Sequence, residues 1–130
     1  MGIRVEAIDH LVLTVRDLSV TIDFYELVLG MEAVSFAGDR RALRFGDQKI
    51  NLHEVEREHL PNARNAGDGT ADLCFLTSTP LEAVVERLSA LEVEIEEGPA
   101  PADGARGPLR SVWFRDPDGN LIEVANQAAA

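Results

Sequence analysis

The chain repeats its own pattern, and that repetition limits the possible folds more than any bulk property does. Residues 9–18, DHLVLTVRDL, alternate as a strand and end in a polar turn. Residues 19–31, SVTIDFYELVLGM, then place apolar side chains at Ile22, Tyr25 and Leu29, a helical spacing closed by Gly30. The same order returns in ADLCFLTSTPL, 71–81, where Pro80 opens a second amphipathic helix through LEAVVERLSALEV. The match extends past the helices: ALRFGDQKINLHE (42–54) and SVWFRDPDGNLIEV (111–124) each read as strand, turn, strand, with Phe45 and Phe114 in equivalent places. Weaker strands fall at EAVSFAG (32–38) and EVEIEEG (92–98), so each half reads as βαβββ. The predicted class is α+β, with module one at about 8–55, a polar linker at about 56–70 and module two at about 71–126, all within one domain spanning 1–130.

Charge and cysteine content narrow the partners. With 23 acidic against 12 basic residues, a net charge of −11, the chain has no electrostatic attraction for nucleic acid or an anionic membrane. One cysteine excludes an internal disulfide, and no apolar run approaches the ~20 residues of a membrane span. The segment 1–9 lacks a signal-peptide layout. The expected location is cytoplasmic.

Strand parity separates two faces in each half. Leu11, Leu13, Val15, Ile50 and Leu52 are expected under the first helix, leaving His10, Val12, Thr14, Asn51 and His53 on the opposite face. In the second half Leu73, Phe75, Ile122 and Val124 take the helix side, with Asp72, Cys74, Leu76, Leu121 and Glu123 opposite. The same parity adds Arg44, Ser111 and Trp113 to the polar face. Taken singly, each polar residue has an ordinary reading: Glu123 on a wet strand face, His10 as a surface histidine, Asp72 as a strand-start cap, Asn51 bonded to a neighbouring backbone. Taken together, an imidazole and a carboxylate with further oxygen or nitrogen donors at the base of a cup are a divalent-metal set.

DHLVLTVRDLSVTIDFYELVLGM and FRDPDGNLIEV resemble the vicinal oxygen chelate superfamily of glyoxalases, bleomycin-resistance proteins and extradiol dioxygenases, over residues 8–126. KINLHE, ADLCFLT and EEGPAPADGARGPLRSVWFRDPDGNLIEV look most like its glyoxalase-domain-containing 5 group. The resemblance implies two modules forming an incomplete-barrel cup around a metal held by His10 and Glu123. At the two other metal positions this chain departs from the family pattern, with Asn51 in place of a glutamate, His53 two residues on as its alternative, and Asp72 in place of a histidine. The implied cofactor is a divalent ion (Mn, Fe, Ni, Zn or Mg).

The implied activity is that of a lactoylglutathione lyase-like enzyme. Such an enzyme acts on a small substrate with vicinal oxygens, thiol conjugates included, through an enediolate-type intermediate, with Glu123 as ligand and base and Arg44, Ser111 and Trp113 lining the substrate. Two alternatives stand beside it: an extradiol-type dioxygenase using His10, His53 and Glu123, and a metal-free small-molecule binding protein of the bleomycin-resistance kind. A homodimer is expected to cover the remaining sheet edge, with the modules pairing inside one chain or exchanging between two. The Gly/Pro-rich stretch 99–108 is expected to be a loop acting as a lid.

Overall fold

The computed structural model describes residues 2–128 and divides the chain between Gly67 and Asp68 into two compact units. The first contains β1 (His10–Val15), α1 (Leu18–Leu29), β2 (Glu32–Phe36), β3 (Arg40–Phe45) and β4 (Gln48–Glu54). The second contains β5 (Asp72–Leu76), α2 (Leu81–Ala90), β6 (Glu97–Gly104), β7 (Gly107–Arg115) and β8 (Leu121–Gln127). Each unit is an open four-stranded sheet with one helix. The strand orders are β1-β4-β3-β2 and β5-β8-β7-β6, so the repeat read from the sequence is a repeat of topology. In each, the first and last strands pair in parallel and the others antiparallel. Among the described residues no helix is long and apolar enough to cross a membrane.

Local chemistry sets the helix ends. Asp17, in an extended conformation, accepts the Val20 amide at 3.1 Å and starts α1. Gly30 ends it with φ +66, a left-handed conformation that glycine adopts without steric cost. The helix lies against β2 and β4 and contributes Ile22 and the fully buried Tyr25 to a core completed by Leu13, Val15, Leu43, Ile50 and Leu52. Helix α2 follows Pro80, which has no capping side chain. Asn126, 45 residues downstream, supplies the cap instead: its Oδ1 accepts the Leu81 amide at 2.8 Å while its Nδ2 donates to the Thr77 and Thr79 carbonyls. The last strand thereby fixes the start of its own packing helix. Leu81 and Leu88 join Val112, Phe114, Ile122 and Val124 in the second core, each such burial contributing about 2 kcal/mol.

The DPDGN stretch is a knot of hydrogen bonds. Asp116 Oδ1 accepts the Asp118 and Asn120 amides, both at 2.9 Å, and its Oδ2 accepts from Asn120 Nδ2 at 2.8 Å. Asn120 Oδ1 in turn accepts the Ala71 amide at 2.9 Å, tying the β7–β8 turn to the entrance of β5. Both side chains are buried, so this motif serves the fold.

Module two departs from expectation in one element. The strand expected at 92–98 begins only at Glu97, and the expected lid at 99–108 is a β-hairpin formed by β6 and β7. Pro99 and Pro101 suggested a loop, but β6 is the edge of its sheet, where a missing N–H breaks no inner ladder. The register skips between Glu97 and Ala100. Gly98 sits in this irregularity at φ +97, with the site a Cβ would take 2.4 Å from the Ser111 carbonyl oxygen, so only glycine fits.

Candidate functional site

In the first unit β1 carries His10, whose Nδ1 lies 2.8 Å from Asp9 Oδ1. A carboxylate on Nδ1 holds the proton there and leaves the Nε2 lone pair available on a half-exposed ring. Opposite His10 in register is Lys49; Asn51 lies opposite Val12 and His53 opposite Thr14. His10 and His53 are thus four residues apart along the parallel pair, about 13 Å. Asn51 and His53 alternate along β4 with the core residues Ile50 and Leu52. Unlike His10, however, they are buried, at 5% and 4% exposure.

Neither has its polar atoms satisfied. Asn51 Oδ1 and both ring nitrogens of His53 are buried without a hydrogen-bond partner. Burial lowers the His53 pKa below its usual 6.5, and the charges of His59, whose ring centroid is 5.6 Å away, and Arg40 lower it further against the opposing pull of Glu58. A histidine held neutral in this way makes the unfolded chain the stronger proton binder between pH 6.5 and the depressed folded value. Stability present above pH 6.5 is therefore lost as pH falls through that window. Thermal melts from pH 7.5 to 5 are expected to show a shallower decline for His53→Gln than for the native chain; equal slopes would contradict the neutral assignment.

In the second unit Glu123 is half-buried on β8. The fully buried Ser111 donates its Oγ–H to Glu123 Oε2 at 2.6 Å, and the Cys74 thiol, opposite Glu123 in register, donates a second hydrogen bond. Trp113 stands opposite Glu123 on its other flank. Asp72 is exposed, opposite Leu121 and diagonal to Glu123. Arg44, on β3 of the first unit, is exposed and makes a long 3.8 Å ion pair with Glu32.

Cys74 carried no role in the sequence reading, although parity already placed it on the Glu123 face. Burial first, then the Glu123 charge and hydrogen bond, raise its thiol from 9.0 to about 11. That leaves roughly a hundredfold less thiolate near pH 8 than in an unperturbed cysteine. Alkylation by iodoacetamide at pH 8 is expected to be about a hundredfold slower for the folded chain than for the unfolded one, and faster in Glu123→Gln. A rate matching the unfolded chain would contradict this pairing.

In kind, these donors suit a divalent ion: one imidazole oriented by a carboxylate, and one carboxylate oriented by a buried hydroxyl. Among the described residues, however, no three His, Cys, Asp or Glu side chains lie together as a metal set. His10, Asn51 and His53 belong to the first unit, Asp72 and Glu123 to the second.

The sequence profile described as Glyoxalase/Bleomycin resistance protein/Dioxygenase superfamily matches residues 7–124. Virulence protein STM3117 of Salmonella typhimurium is 54% identical over 121 residues, covering 93% of this chain and 84% of that protein. Its crystal structure superposes with a TM-score of 0.96 at 52% identity, covering 97% and 100% of the two chains. Glyoxalase domain-containing protein RDO1 of Mycosarcoma maydis is 43% identical over 124 residues, 95% of this chain and 70% of that one. A lactoylglutathione lyase from Agrobacterium tumefaciens shares the fold at TM-score 0.71 and 26% identity, with 92% of each chain covered. Paired four-stranded modules of identical topology, the matching profile and relatives of this similarity make the chain a member of the glyoxalase/bleomycin resistance/dioxygenase superfamily.

Proposed function

We propose that the protein is a metal-dependent glyoxalase-type lyase or isomerase acting on a small substrate with two neighbouring oxygens. The observation that carries this reading is the setting of Glu123: a half-buried carboxylate oriented by the Ser111 hydroxyl on Oε2 and supported by the Cys74 thiol. His10 and Glu123, with Asp72, would hold the ion through Nε2 and carboxylate oxygens. When bound, a divalent ion withdraws electron density from the substrate oxygens and acidifies the adjacent carbon. Glu123 Oε1 takes the proton from that carbon, while the Ser111 hydrogen bond keeps Oε2 in place. Cys74 stays a thiol throughout the neutral range and supports the carboxylate as a donor.

The site is proposed to form in a homodimer in which His10 of one copy joins Asp72 and Glu123 of another. Substrate is proposed to include thiol conjugates. Supplying Mn(II), Ni(II), Fe(II), Zn(II) or Mg(II) to the metal-stripped protein with methylglyoxal and glutathione is expected to yield lactoylglutathione above the uncatalysed rate with at least one ion. Failure with all five would remove the lyase reading.

A second reading, metal-free sequestration of a small molecule, is favoured by the same missing third donor. The dioxygenase reading is weaker, because it needs His53 beside His10, and Arg40 sets a positive charge near His53 that opposes a cation there.

A further inference from the structure

The polar face of the first sheet gathers Arg40, Arg44 and Lys49 in a chain that is otherwise strongly acidic, with Glu32 paired to Arg44 and Glu58 near His53. Register places Arg44 opposite Lys49, and Arg40 begins β3 one residue before the partner of Leu52, level with His53. Lys49 Nζ lies 3.7 Å from the centroid of the Phe36 ring and Arg40 Cζ 4.8 Å from it. No carboxylate pairs with Lys49 or Arg40 among the described residues. Lys49 reaches Phe36 on a diagonal across Ala42, which is fully buried and stands between Val34 and Asn51 in register. Two cations and one aromatic ring therefore gather on the face that carries Asn51 and His53.

Each unsatisfied atom specifies its missing partner. Asn51 Oδ1 is an acceptor and lacks a donor. His53, uncharged, offers one donor and one acceptor and has neither matched. A buried polar group left unmatched costs about 1–3 kcal/mol, so a fold that keeps two of them on one face stores an affinity for whatever matches them. A metal ion does not fit, because Arg40 and Lys49 repel it and an amide oxygen is a weak ligand. A bare anion matches the cations but gives Asn51 no donor. A hydroxyl group gives Asn51 its donor and exchanges donor and acceptor with His53, and a carboxylate beside it meets the cations.

We propose that Asn51, His53, Arg40 and Lys49 form a recognition site for a small hydroxycarboxylate, its carboxylate on the Arg40 and Lys49 side and its hydroxyls on Asn51 and His53. The site stands apart from the chemistry proposed at His10 and Glu123, and binding requires no metal. Lys49 and Arg40 both lie over the Phe36 ring, and both cations exchange that aromatic face for a carboxylate when the ligand enters. Asn51 and His53 are thereby reassigned from metal donors to substrate donors and acceptors.

The chain's three histidines make the test direct. In the metal-stripped full chain at pH 8, the ring Cε1–H signals of His10, His53 and His59 are followed by NMR during titration with glycerate, propionate and glycerol. Glycerate is expected to move the His53 signal saturably, with propionate lacking the hydroxyls and glycerol lacking the charge each at least about tenfold weaker. Arg40→Met and Asn51→Leu are each expected to weaken glycerate about tenfold or more. Asn51→Leu should also raise the melting temperature of the free protein, since it replaces an unmatched buried amide by an apolar side chain of similar size. A structural role for Asn51 would lower it.

The proposal is overturned if glycerate leaves His53 unmoved, if propionate serves as well, or if Asn51→Leu destabilises the chain. Mn(II) added in the same experiment broadens the His10 signal if the metal reading holds. Unbroadened His10 with glycerate still moving His53 would remove that reading and leave this site standing.

Discussion

Glu123→Gln is expected to lower turnover on the methylglyoxal–glutathione adduct by about a thousandfold while leaving the melting temperature nearly unchanged. The magnitude is that of removing a positioned general base, and the amide cannot take the proton that Oε1 takes. The fold tolerates the change because an amide oxygen still accepts the Ser111 hydroxyl now bonded to Oε2 at 2.6 Å. Steady-state kinetics with the activating ion, paired with a thermal melt, checks both halves. Turnover above a tenth of the native value would mean that Glu123 is not the proton acceptor. A large drop in melting temperature would mean that the carboxylate serves packing.

Asn120→Ala carries the largest expected effect on stability, a loss of about 3 kcal/mol and roughly 10 °C in melting temperature. Its side chain is almost fully buried and is bonded at both ends, to Asp116 Oδ2 and to the Ala71 amide. Alanine removes the donor to Asp116 Oδ2 and the acceptor for the Ala71 N–H, and frees the β7–β8 turn from the start of β5. Asp116→Asn keeps an acceptor for the two turn amides and is expected to cost less. A melt of Asn120→Ala within 1 °C of native would contradict this account of the turn. Because Asp116 and Asn120 lie on the β7–β8 connection and not on the Glu123 face, residual activity per folded molecule should be retained.

The two-module architecture was legible because it rests on periodicity. Alternation in HLVLTV, INLHE and LIEV separates faces without any tertiary knowledge, and the register of β1 with β4 and β5 with β8 keeps those faces intact. Gly30 marked the end of α1 because its left-handed φ is a local property. The strand β6 was misplaced because its sequence, EGPAPADG, has neither alternation nor strand-forming residues; its pairing with β7 and its edge position make it a strand. The cap on α2 was equally invisible, since Asn126 reaches Leu81 from the far end of the module.

Within the candidate site, parity separates the residues of alternate faces and cannot report burial. Asn51 and His53 read as open-face donors, and only the surrounding chain makes them buried and unmatched. Cys74 lay on the correct face, but its partnership with Glu123 depends on the parallel register of β5 and β8, which no local pattern encodes.

We propose that His10 and Glu123 hold one divalent ion between two copies of the chain. It is tested most directly by Mn(II) binding, measured by electron paramagnetic resonance for the native protein, for His10→Ala, for Glu123→Ala, and for the two variants unfolded together and refolded as a mixture. The account predicts tight binding by the native protein, none by either variant alone, and partial recovery in the mixture, where one site of each mixed dimer regains both ligands. No binding by the native protein, or undiminished binding by either variant, would contradict it.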